Sequence, residues 1–177
     1  MKNTAINTLK YTGVVTLSQC IGSKKLQIAK IHNKGGQPLF DFFSDCLLGD
    51  FDIANKNRPA KIMLLKKSIT TDTSSGTSTT KYTSASGFIY LLSKPEKVYE
   101  AGAGKVRYSF IVSRAQLEST TFDSIGLYTS ATDSSATDNF AAIAEVSEAA
   151  ATLQLASTDS SLLVDWELII SNKEGAI

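Results

Sequence analysis

Apolar and polar residues alternate most regularly over residues 160–172. Leu162, Val164, Trp166, Leu168 and Ile170 fall on one face of an extended chain, and Leu163, Asp165, Glu167, Ile169 and Ser171 on the other. The lone Trp lies on the first face and two acids on the second, which predicts an antiparallel strand with a core side and a wet side. Residues 105–113 alternate the same way, with Val106, Tyr108, Phe110 and Val112 opposite Arg107 and Ser109. Further strands are predicted at 11–18, 24–32, 60–66, 87–92, 122–129 and 140–146. In 24–32, Leu26 and Ile28 share a face but Ile31 falls on the other, which implies burial on both sides or a bulge. The wholly apolar 87–92 reads as a central strand. Residues 148–156 stay open between a helix, favoured by Ala, and a short strand over 152–155.

One clear helix is predicted after residue 37, with Pro38 in its first turn and Gly49 as its end. Its apolar stripe is Leu39, Phe40, Phe43 and Leu47, widened by Phe42 and Cys46, while Asp41, Ser44 and Asp45 face water. A second short turn is expected over 50–57, before Arg58 and Pro59. Turns are expected at 20–23 and at Asn33-Lys34-Gly35-Gly36. Residues 68–80 are almost entirely Ser, Thr, Asp and Gly, so they form a mobile loop or an extended hairpin tip. A second polar loop spans 130–139. No internal repeat is present. Short strands spaced by turns predict one domain over 1–177, mainly β, an antiparallel jelly-roll-like β-sandwich with one inserted helix.

A hydrophobic fraction of 42% over 177 residues is enough for a core without disulfides or metal. Eighteen Lys and Arg against 17 Asp and Glu leave a net charge of +1, so no specific nucleic-acid binding is expected. No run approaches the roughly 20 apolar residues of a membrane span. The first residues lack the apolar core of a secretory signal, and synthesis in a cytoplasm is expected. Cys20 and Cys46 read as small buried apolar side chains.

Candidate chemistry is sparse. His32 is the single histidine and has no second His with which to build a ligand set. There is no Gly-x-Ser-x-Gly elbow. Ala101-Gly102-Ala103-Gly104-Lys105 has part of a phosphate-loop pattern, but Val106 stands where Ser or Thr is required and a strand follows, so it reads as a hairpin loop. Asp41 and Asp45 read as a solvated helix face, and Asp133 and Asp138 lack the alternating ligands of a calcium loop. Lys24-Lys25 and Lys66-Lys67 read as strand-end charges that protect sheet edges. The aromatic residues are interleaved with aliphatics and read as core. No catalytic, cofactor-binding or metal-binding residue is assigned, no cofactor is expected, and the chain is not read as an enzyme.

The stretch from Tyr108 to Asn172 resembles the N-terminal attachment domain of phage tail-fibre and tail-collar proteins. The resemblance is carried by Phe110-Ile111-Val112, Arg114-Ala115-Gln116-Leu117, Ile125-Gly126-Leu127-Tyr128, the small apolar residues of 141–146, and Ile169-Ile170-Ser171-Asn172. Gly126 is read as permitting close backbone approach. Upstream, Ile31-His32-Asn33-Lys34-Gly35-Gly36, Leu39-Phe40-Asp41-Phe42-Phe43 and Leu47-Leu48-Gly49-Asp50-Phe51 resemble the opening of small structural proteins of gut phages, including short-tailed crAss-like ones. The resemblance implies a non-enzymatic virion protein of the tail, neck or fibre-attachment region, acting as a symmetric homo-oligomer. Its partners would be other tail, neck, portal-proximal or fibre components, and its location the virion. Because the sequence ends at Ile177, no shaft or receptor-binding tip is expected. The alternative is a carbohydrate- or receptor-binding β-sandwich module.

Overall fold

The computed structural model describes residues 7–50, 52, 58–85, 90–91, 95–100, 103–117, 121–130, 137, 139–146 and 160–174. Its strands are β1 (Asn7–Ile21), β2 (Lys24–Gly35), β3 (Pro59–Thr71), β4 (Ser78–Ser84), β5 (Tyr90–Leu91), β6 (Pro95–Glu100), β7 (Ala103–Ser113), β8 (Ser124–Thr129), β9 (Ala142–Glu145) and β10 (Ser160–Glu174). Helix α1 spans Gln37–Leu48, and a one-turn helix α2 spans Arg114–Leu117. The described residues are therefore mainly β, with one helix longer than a single turn. Every strand pair is antiparallel, in the order β4-β3-β8-β9-β2-β1-β10-β7-β6, with β5 beside β3.

The alternation of β10 places its side chains as predicted. Leu162, Val164 and Trp166 are fully buried and Leu168 nearly so; the Ile170 side chain lies outside the described set. Phe110 and Val112 of β7 and Val15 and Leu17 of β1 share that face, because register sets Trp166 opposite Tyr108 on one side and Val15 on the other.

β2 joins the two halves of the sheet. It pairs with β1 up to Asn33, and then Lys34 and Gly35 pair with Ile143 and Ala142 of β9. Where a turn is expected at 33–36, the strand instead continues to Gly35 on the ladder from β9, and Gly36 caps α1 while its N–H donates to the Ala141 carbonyl at 2.7 Å. The irregular phase of β2 is a bulge: Leu17 opposes Ala29 and Ser18 opposes Gln27, which leaves Ile28 as the extra residue. Ile62 and Leu64 of β3 and Ile125 and Leu127 of β8 join Trp166, Phe110 and Leu17 in one buried cluster, so both halves share a core.

The other face of β3 and β8 is also covered. Met63, Leu65, Tyr128 and Ile143 form a second buried cluster under Tyr82 and Phe140, whose rings meet edge to face at 5.6 Å. The Tyr128 hydroxyl donates to the Thr137 carbonyl at 2.7 Å, and the Thr137 hydroxyl donates to the Tyr82 carbonyl at 2.8 Å. One residue of the polar 130–139 loop therefore clasps this face. Gly126 makes room for the Tyr128 ring: a Cβ there would sit 2.5 Å from its edge.

Several expectations are corrected. In α1 only Leu39 is fully buried, Phe42 and Phe43 are half-buried, and Phe40 and Leu47 are exposed rather than part of an inward stripe. Cys20 is half-buried and Cys46 exposed. Of 87–92, only Tyr90 and Leu91 are described, and they flank β3 off the main path of the sheet. Of 50–57, only Asp50 and Asp52 are described; 148–156 lies outside the described residues.

Trp166→Ala is expected to destabilise the protein by about 3–5 kcal/mol, through lost burial and the cavity left behind, with the wild-type Trp emission blue-shifted before denaturation. Gly126→Val is expected to lower the urea midpoint, because the Tyr128 ring must leave its seat. Tyr128→Ala in the Gly126→Val background relieves that clash, so the two changes will be non-additive.

Candidate interaction site

On the outer face of β10, charge is arranged by strand register. Glu167 lies opposite Arg107 and Asp165 opposite Ser109. Arg107 donates from Nε and Nη2 to Glu167 Oε1 at 3.0 and 2.9 Å, and Lys105 Nζ lies 3.1 Å from Oε2. Ser109 Oγ donates to Asp165 Oδ1 at 2.6 Å, and Lys25 Nζ reaches Oδ2 at 2.8 Å. Burial pushes the Glu167 carboxyl up, but the hydrogen bonds and charges of Arg107 and Lys105 outweigh it and hold the group below its ordinary range. Across the other half, Lys67 Nζ donates to Glu145 at 2.9 Å and holds that carboxyl low. Lys25 and Lys67 thus make cross-strand ion pairs from segments of β2 and β3 that are paired on one side only.

β3 and β4 run beyond the sheet as a two-stranded arm. From Ser68 to Lys81 every residue is exposed, and the ladder is unbroken from Leu65–Ser84 to Thr71–Ser78. The Ser/Thr-rich 68–80 segment is therefore a hairpin. Asp72 organises its tip: its carboxylate accepts from the Ser74 backbone and hydroxyl at 2.8 and 2.6 Å and from the Ser75 hydroxyl at 3.0 Å. The Ser74 bonds, with help from Ser75, hold the Asp72 carboxyl at about 2. A two-stranded ribbon wet on both sides has little stability of its own, and this local network supports it.

Two further surfaces leave apolar side chains in water. At the end of α1, Leu47 and Leu48 are each 83% exposed, and Phe40 lies about two turns away on the same side at 46%. Gly49, at φ 77°, closes the helix in the left-handed region, and the Asp50 N–H donates to the Asp45 carbonyl. An open depression of about 530 Å³ beside it is lined by Leu48, Gly49, Asp50 and Asp52. At the β1–β2 turn, Ile21 is 41% and Leu26 66% exposed.

The residues considered for chemistry do not converge. His32 is exposed on β2 opposite Val14. Asp41 is exposed and accepts from Gln37 Nε2 at 2.7 Å. The Cys46 thiol, although exposed, is pushed up by partial desolvation and by the Asp45 carboxylate, which disfavours the reactive thiolate. Ala103, Gly104 and Lys105 are strand residues of β7, while Ala101 and Gly102 lie outside the described set, as do Asp133 and Asp138. Among the described residues no three His, Cys, Asp or Glu side chains gather as a metal site, and no helix is long and apolar enough to cross a membrane. Sequence reasoning missed the exposed helix end, because α1 is apolar on nearly every side and its phase cannot be read from composition.

Glu167 links this polar face to pH. Its folded pKa lies below the unfolded value, so its stabilisation is fully present above the ordinary glutamate range and is lost as pH falls through the folded pKa. Glu167→Gln is expected to destabilise by about 1–3 kcal/mol near neutral pH, and the gap from wild type should close on acidification, read from urea midpoints across pH.

No known family model, curated protein or solved structure matches this chain.

Proposed function

We propose that this chain is a non-enzymatic structural protein of a tailed-bacteriophage virion. It acts in the tail, neck or fibre-attachment region as a sandwich-like β module that assembles into a symmetric oligomer. The observation that carries this reading is the projecting β3–β4 arm, exposed on both faces from Ser68 to Lys81. A ribbon of this kind gains buried surface when it lies against a neighbour, and polar Thr-rich faces suit a contact made in water. The motifs that resemble the fibre-attachment domain support the same reading. Ile125-Gly126-Leu127-Tyr128 builds the interior strand β8, and Phe110-Ile111-Val112 and Ile169-Ile170-Ser171-Asn172 lie in the neighbouring strands β7 and β10. The function so described is geometric: the module holds neighbouring virion components at fixed spacing.

Gradient-purified particles from the chain's native source are expected to contain the protein at a fixed copy number, measured by quantitative mass spectrometry. Replacing 72–77 by a two-residue turn and trimming the arm should leave the fold intact, judged by Trp166 emission, and reduce that copy number. A protein that stays wholly outside the particle fraction overturns the reading. Saturable glycan binding by the isolated monomer would assign it to the receptor-binding class instead.

A further inference from the structure

The exposed apolar residues at the β1–β2 turn have a specific origin. Ile21 and Leu26 have the same parity as the core-facing positions Val15, Leu17 and Gln19, since Gln19 pairs with Leu26 and Ile21 with Lys24. The two strands outrun the core, so positions that would be buried further along emerge into water. Residues 19–30 contain Lys24, Lys25 and Lys30 and no acid; Lys25 is engaged by Asp165, while Lys24 is exposed on the same face as Ile21 and Leu26. The result is a small apolar patch with a basic side.

At the opposite end of β2 stands its chemical complement. The outward side of α1 offers Phe40, Leu47 and Leu48, and residues 37–52 contain four Asp and no Lys or Arg. Inward, the same helix packs Leu39, Phe42 and Phe43 against the core, and one edge of Phe40 meets the Tyr11 ring at 6.4 Å, so the outward surface consists of Leu47, Leu48 and the exposed part of Phe40. Leu47 and Leu48 at one patch and Leu26 at the other are all largely exposed, so the two patches do not cover each other within one chain. A second chain can supply the missing partner to each.

We infer that the Phe40–Leu47–Leu48 stripe of α1 docks on the Ile21–Lys24–Leu26 tip of a second copy of this chain, head to tail. This deepens the assembly reading above and rests on it. A contact between two different patches is heterologous: repeated, it generates a ring where the rotation closes and a filament where it does not. Helix-on-helix pairing of the same stripe would set acidic segments against each other, and like charge disfavours it. The apolar residues supply the attraction, and the opposite signs supply orientation.

Leu47→Glu and Leu26→Glu test the contact, since both side chains are largely in water and neither is needed for the fold. Trp166 emission and the urea midpoint serve as the check on folding. The wild-type chain is expected to form higher oligomers by native mass spectrometry and sedimentation. Each variant alone should be monomeric, because every junction needs both patches. Mixed in equal amounts, they should form a heterodimer and nothing larger, through the single junction that retains an intact stripe and an intact tip. If Leu47→Glu abolishes assembly while Leu26→Glu leaves it unchanged, the contact is helix on helix and the inference fails, although assembly itself stands. If neither substitution changes the wild-type oligomer, the contact lies elsewhere and the inference fails. A wild-type chain that remains monomeric at every concentration also overturns it, while membership of the particle is read independently from particle composition.

Discussion

The ladder between β1 and β10 is the constraint on which the rest of the sheet depends. It pairs Asn7 with Glu174 and runs without a register shift to Ile21 and Ser160. Because side chains alternate with period two, this register decides at once which residues of both strands are buried. A slip of one residue would turn Trp166 outward and bring Asp165 and Glu167 into the apolar interior, where their desolvation would be unsupported. β7 inherits the same parity from β10, which is how Arg107 and Ser109 come to face the two acids. The ion-pair face and the Trp core are thus two consequences of one register.

β2 carries that order across to the second half. The bulge at Ile28 resets its phase, so Ala29 and Ile31 pack against the main cluster beyond the irregularity. On the same side, the Asn33 carboxamide fills the space over Gly13, where a Cβ would collide with it, and accepts a hydrogen bond from the Tyr11 hydroxyl at 3.1 Å. Burial pushes the Tyr11 phenol up to about 12, so this polar contact stays neutral at ordinary pH. In the second half the outer face is covered by Tyr82 and Phe140, with Thr137 clasping it, while in the first half Val14, Ser18 and Asp165 are buried on the face opposite Trp166. Among the described residues, the large exposed apolar side chains are Ile21, Leu26, Ile69 and Ile111 on strands and Phe40, Leu47 and Leu48 on α1.

β10 and β7 were legible in the sequence because their two faces differ chemically and the pattern persists over many residues. The bulge in β2 was legible as a broken phase, although its position was not. The strand continuing through Asn33-Lys34-Gly35 was hidden because local turn preference was overridden by pairing with Ile143 and Ala142, residues more than a hundred positions away. The same distance hid the ion pairs of Lys25 and Lys67, whose partners Asp165 and Glu145 belong to strands that only the fold brings near. The inward side of α1 could not be chosen, because Leu39, Phe40, Phe42, Phe43, Leu47 and Leu48 leave few directions polar. What remained unreadable on surfaces was therefore orientation and partnership, which depend on tertiary neighbours rather than on residue type.

The position of β10 between β1 and β7 also sets the order of events at the ribosome. The strand that supplies Trp166 to the core is made after both of its neighbours have emerged. Until it arrives, β1 and β7 each wait with one open edge, and the interior lacks its largest side chain. A nascent chain of this topology cannot complete its core until β10 clears the exit tunnel, when contacts of very long sequence separation must close. Before that moment the unpaired edges of β1 and β7 are open to pairing with any other extended chain nearby.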